Sequence, residues 1–114
     1  MNVKLSVITS GLLLAVSNLG FAADVAPVMD PKSCEQPKYP KAALMNEETG
    51  TVTMGFLVSP DGKVVDSKVE KSSGSKSLDK AALSALSLCK FKPGTKDGKA
   101  DQLWAKVDFV WKLE

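Results

Sequence analysis

Cys34 and Cys89 are the residues of this 114-residue chain best equipped for chemistry, and they are its only cysteines. A reactive thiol pair usually shows C-x-x-C spacing, which is absent here, so in an oxidising compartment a disulfide is the better reading. Two S-x-x-K strings come next, Ser73–Lys76 and Ser77–Lys80, in which a lysine amine can in principle activate a serine. Serine and lysine crowd residues 67–80, the companion motifs of penicilloyl transferases are missing, and the chain is too short for that fold. Chance explains both strings. Gly94-Thr95-Lys96-Asp97-Gly98-Lys99 has the wrong spacing for a phosphate loop, with Ala100 where a magnesium-binding hydroxyl belongs. Asp61 and Asp66 fall short of the ligand count of a calcium loop.

What is missing excludes more. All 15 cations are lysine, since the sequence holds neither arginine nor histidine. Without histidine there is no Ser-His-Asp or Cys-His catalysis and no imidazole metal ligand. Without arginine there is no bidentate clamp for phosphate or guanine. A formal charge of +2 is weak for a nucleic-acid partner. The expectation is a non-catalytic chain with no cofactor, no metal and no nucleic acid.

The N-terminus sets the compartment. Residues 1–22 carry one charge, Lys4, then an apolar centre, Gly11 to Val16, then Gly20-Phe21-Ala22 with small residues at −3 and −1. That is the pattern of a secretory signal cleaved after Ala22. The apolar run is near the lower limit for spanning a bilayer, and no basic stop-transfer cluster follows, so no stable membrane insertion is expected after cleavage. Export makes the even cysteine count a Cys34–Cys89 disulfide. Closing a loop of ~55 residues stabilises a fold by about 4 kcal/mol in the chain-entropy model.

The elements that must position these residues follow from periodicity. Residues 23–35, with Pro27 and Pro31, read as an extended lead-in. Pro40 opens a short helix through Met45, with Gly50 as its stop. Val52, Met54, Phe56 and Val58 alternate along a strand, and Ser59-Pro60-Asp61-Gly62 turns the chain into a second strand, Lys63 to Glu70. Ser77 is the expected cap of a second helix whose apolar face runs from Leu78 to Cys89. Phe91-Lys92-Pro93-Gly94 ends it, and Asp97-Gly98 is a turn. The last strand puts Leu103, Ala105, Val107, Phe109, Trp111 and Leu113 on one face, and Trp104, Lys106, Asp108 and Val110 on the other. The fold class is α+β, in the order α-β-β-α-β, with two helices packed on a small antiparallel sheet of about three strands. Such a sheet has two edges. Lys106 and Lys112 either blunt the last strand or flank an edge that takes an extended peptide as a further strand, and pattern alone leaves both open.

Gln36-Pro37-Lys38-Tyr39-Pro40 resembles the Q-P-x-Y-P motif of the TonB C-terminal domain family. The similarity continues in order through Gly50-Thr51-Val52, Asp61-Gly62-Lys63-Val64, Ser72-Ser73-Gly74, Leu78-Asp79-Lys80-Ala81-Ala82-Leu83, Phe91-Lys92-Pro93, Asp97-Gly98-Lys99 and Phe109. The resemblance implies a TonB C-terminal-like domain over residues 36–114, in the periplasm of a Gram-negative cell. It implies recognition of an extended segment of an envelope protein, such as an outer-membrane transporter, by pairing with the strand at about Leu103–Trp111. Gln36, Pro37 and Tyr39 would then lie near the gripped segment, while Trp104, Lys106, Asp108 and Val110 would shape its side-chain preference. The full transducer of that family has an uncleaved membrane helix and a long proline-rich spacer. Only residues 23–35 separate the expected cleavage point from the motif here, so the expectation is a stand-alone member. The alternative is a structural or accessory subunit of an envelope complex that binds no peptide strand; a homodimer that buries the last strand would favour it.

Overall fold

Strict alternation between Gly50 and Val58 builds the strand around which the rest is arranged. The computed structural model describes residues 24–114; the expected signal segment, residues 1–22, lies outside them. Their order is β1 (Val28–Asp30), a 3-10 turn (Pro31–Ser33), α1 (Lys41–Met45), β2 (Gly50–Val58), β3 (Val64–Lys71), α2 (Lys76–Leu86), β4 (Lys90–Lys92), β5 (Thr95–Lys96), β6 (Lys99–Ala100) and β7 (Leu103–Trp111). Among the described residues, no helix is long and apolar enough to cross a membrane.

β2 is central in an antiparallel three-stranded sheet of order β3-β2-β7. Its even-numbered side chains, Val52, Met54, Phe56 and Val58, are fully buried. Leu78, Ala82 and Leu86, spaced for one helical face, lay α2 on that surface, and Phe91, Ala105 and Trp111 complete the core. Each large apolar side chain buried there contributes about 1.5–3 kcal/mol. The opposite face of the sheet is open to solvent. The α+β class and the order of the five main elements are as the sequence implies.

Local details differ from expectation, each for a physical reason. α2 starts two residues early: Ser75, not Ser77, is the N-cap and accepts from Leu78 N–H. The earlier start lets Asp79, itself buried, reach back and accept from the Ser73 amide at 2.8 Å, from the Ser73 hydroxyl at 2.6 Å and from the Ser72 hydroxyl. Gly50 does not stop α1. Glu47 takes the left-handed conformation there (φ 53°), whereas Gly50 opens β2 where a Cβ would lie 2.4 Å from the Ser73 carbonyl oxygen. The second helix ends at Leu86, so Cys89 is buried just beyond it rather than on its face. The lead-in is more than extended chain: Val28–Asp30 pairs with Lys90–Lys92 as a small second sheet. Asp30 caps the turn that follows by accepting from Lys32 N–H. Asp97-Gly98, both at positive φ, closes a hairpin between β5 and β6.

The two cysteines are joined. The Cys34–Cys89 disulfide spans a Cα–Cα distance of 4.7 Å and ties the end of the 3-10 turn to the segment between α2 and β4. Ser33 reinforces the same junction, its hydroxyl accepting from Lys90 N–H at 2.7 Å.

Candidate functional site

β7 borders the sheet on one side only, so half of its main-chain groups face away from β2. Which half follows from the hairpin. Ser59 N–H donates to the Lys63 carbonyl at 2.9 Å, which points Ser59, and by alternation the odd residues of β2, toward β3. The even residues of β2 therefore point their main chain at β7. Their partners are 103, 105, 107, 109 and 111, in a register that runs unbroken from Val58↔Leu103 to Gly50↔Trp111. Trp104, Lys106, Asp108 and Val110 are left with N–H and C=O directed out of the sheet. The same residues carry their side chains on the exposed face. An extended segment laid along β7 would meet four outward donor–acceptor pairs at the spacing of a regular ladder.

The residues singled out by sequence fall on the two flanks of this edge. On the core side, Tyr39 stands edge-on to Trp111, ring centroids 4.9 Å apart, and donates its hydroxyl hydrogen to the Glu48 carbonyl. Trp111 is edge-on in turn to Phe109 at 4.9 Å. The aromatic row holds the Gln36–Pro40 segment over the C-terminal half of β7, where Gln36 and Pro37 help wall a cavity with Phe109. On the solvent side, Trp104 lies across Gly55 toward β3, with the Lys68 ammonium 4.5 Å from its ring centroid. Lys106 reaches the same way to Glu70 at 3.6 Å. Both side chains turn inward over the sheet rather than out past the edge. Gly55 permits this, since its missing side chain leaves the floor that they cross.

Sequence does not single out every residue of the site: it gives Phe109 as a core residue and family match, Leu86 as part of a helix face, and neither Met29 nor Glu35 at all. The signal for Met29 was faint: an apolar residue placed shortly before a cysteine that has to reach the core.

Where β3 leaves the sheet, charge adds a shift. Burial alone would raise the Asp79 carboxyl, but hydrogen bonds from the Ser72 and Ser73 hydroxyls and the Ser73 amide outweigh it and hold the group below its ordinary range.

A free, regular edge strand flanked by a covalently pinned arm characterises this α+β domain. Residues 35–113 match a family described as the Gram-negative bacterial TonB protein C-terminal, and the chain belongs to that family, a non-catalytic, transport-associated one. Protein TonB of Xanthomonas campestris pv. campestris is 35% identical over 96 residues, covering 82% of this chain and 41% of that protein. Protein tonB2 of Pseudomonas aeruginosa is 35% identical over 77 residues, covering 68% of this chain and 28% of that protein. The chain thus spans less than half the length of these relatives. The solution structure of the Pseudomonas aeruginosa TonB C-terminal domain superposes with a TM-score of 0.61 at 26% identity, covering 86% of this chain and 97% of that one.

Proposed function

We propose that the chain is a periplasmic binding module that recognises an extended segment of an outer-membrane transport protein by adding it as a strand beside β7. The observation that carries this reading is the unbroken nine-residue edge, whose main-chain groups at 104, 106, 108 and 110 face outward. Affinity comes chiefly from those groups. Gln36, Pro37 and Tyr39 bound the strand on one side, and Trp104, Lys106, Asp108 and Val110 set side-chain preference on the other. Residues 1–22 act as an export signal cleaved after Ala22, which accounts for a disulfide-bonded domain in an oxidising compartment.

Titration of the labelled domain, residues 23–114, with peptides from the N-terminal segments of the host's outer-membrane transporters tests the reading. Amide shifts concentrated at Trp104, Lys106, Asp108 and Val110 are expected. Binding that leaves those amides unmoved would sink strand addition. A stable dimer that buries β7 at micromolar concentration would favour the accessory-subunit reading instead. Intact mass of the periplasmic protein, beginning at Ala23, checks the export step.

A further inference from the structure

Beside β7 the described residues form a partly open cavity of about 100 Å³, lined among others by Met29, Cys34, Glu35, Gln36, Pro37, Leu86 and Phe109. Its floor is apolar, Leu86 from α2 and Phe109 from β7. Its outer wall is the lead-in, and Cys34, through its bridge to Cys89, locks that wall to the core. Gln36 on its rim is exposed to solvent. The cavity therefore lies on the core side of the sheet, next to the free edge.

Strand geometry decides what can enter it. A segment paired with the outward groups of 104, 106, 108 and 110 places the residues opposite those positions on the solvent face. The intervening residues send their side chains to the core face, and the one opposite Phe109 emerges between the Phe109 ring and Gln36-Pro37. A cavity of ~150 Å³ lined by aliphatic and aromatic groups takes a benzene molecule. This one is smaller, and its size suits a branched aliphatic side chain better than an aromatic ring. An acidic side chain would lose its hydration against Leu86 and Phe109 and would meet the Glu35 carboxylate of the lining rather than a cation.

Resting on the strand-addition reading, we infer that this cavity is a specificity pocket for one valine, leucine or isoleucine side chain of the partner strand. The Cys34–Cys89 bridge keeps its outer wall in place. Selectivity then has two sources: a main-chain ladder indifferent to sequence, and one aliphatic anchor at a fixed position along it.

The test takes a transporter-derived peptide that binds the oxidised domain and replaces each aliphatic residue in turn by Ala, Phe and Asp. At one position each replacement should weaken binding about tenfold or more, the range expected for withdrawing one buried aliphatic side chain. Methyl groups at that position should show nuclear Overhauser contacts to the Phe109 ring and to Met29. Gln36→Trp, an exposed change that fills the cavity from its rim, should lower affinity for the parent peptide by a clearly larger factor than for the Ala-substituted peptide. In a folded Cys34→Ala/Cys89→Ala variant the preference for aliphatic over Ala should shrink severalfold. Peptides that bind along β7 with no position sensitive to aliphatic loss would overturn the pocket and leave strand addition standing. Failure of every peptide to bind would remove both.

Discussion

β3 and β7 border the same central strand, yet only β3 carries the irregularities that discourage a further strand. Its pairing with β2 slips at two places, leaving Val65 and Glu70 as extra residues opposite a regular partner. Between the two bulges, the outward amide of Ser67 is already taken, at 2.8 Å, by the carboxylate of its neighbour Asp66. Lys68, Glu70 and Lys71 add charge to the same border. β7 has no bulge, no proline and no side chain bonded to its outward amides among the described residues. Of the two borders, only the flat one offers a further strand a regular, unoccupied ladder among the described residues.

The comparison breaks most visibly if the arm beside β7 is released. Cys34→Ala with Cys89→Ala should cost about 2–4 kcal/mol of unfolding free energy, measured by denaturant titration. Hydrogen exchange should rise at residues 28–39 and 90–92 and stay unchanged at 64–71. Equal loosening at β3 would mean that the bridge holds the whole fold rather than one flank.

Asp79 is the counterpart on the β3 side, pinning the loop that leaves that strand. Asp79→Ala should destabilise by about 1–3 kcal/mol at neutral pH, because the Ser72 and Ser73 donors lose an ionised acceptor. The group's folded-state pKa is depressed from 3.8. Its stabilisation is thus complete above the unfolded-state value and is lost as pH falls through the lower folded-state value. The gap between wild type and variant should therefore close in acid, below about pH 4. A gap that persists there would assign the effect to packing.

Proline substitution compares the edges directly. Val110→Pro removes an outward donor of β7 and should weaken peptide binding by about tenfold, near the upper end for one net hydrogen bond, with the fold retained. Ser67→Pro removes an outward donor of β3 that Asp66 already occupies, and binding should not change. Isothermal titration of both variants against one peptide decides the matter. Equal losses would contradict the assignment of β7 as the pairing edge.

Trp104→Ala is the smallest effect. The indole lies inward over Gly55 under Lys68, an exposed cation–π contact worth about 0.5–1 kcal/mol, and makes no main-chain contribution. Affinity should fall less than for Val110→Pro. A larger fall would place the partner's side chains on the open sheet face.

Sequence made the strands of the main sheet legible because their signal is local: Val52, Met54, Phe56 and Val58, and Leu103 to Trp111, alternate with the pleat. The α+β order is readable on similar grounds, the cysteine pairing from the count of two, and the ordered motifs point to the family. The rest depends on contacts between distant segments. Ser75 and Ser77 are equivalent cap candidates until Asp79 is seen to need the earlier start. The bulges at Val65 and Glu70 leave no mark in composition, and they separate a blunted edge from a free one. β1 is three residues long, too short for a period, and exists because Lys90–Lys92 offers it a ladder. The cavity combines residues from the lead-in, α2 and β7, so no stretch of sequence announces it.

The bridge also decides where a mechanical load would travel. Tension applied to the chain ahead of residue 34 meets the Val25–Thr95 bridge and then the three residue pairs of β1 and β4, which peel one at a time. It then meets a covalent link at Cys89, beyond which the closed loop of residues 34–89 cannot lengthen. α1, the β2–β3 hairpin and α2 all lie inside that loop, so their chain cannot be drawn out from this end. A force entering at the N-terminal arm and leaving through a strand bound to β7 would bear on the junction of Cys89 with β4 and on the ladder between β2 and β7. A pull along the strand axis would load that ladder in shear, all nine residue pairs together.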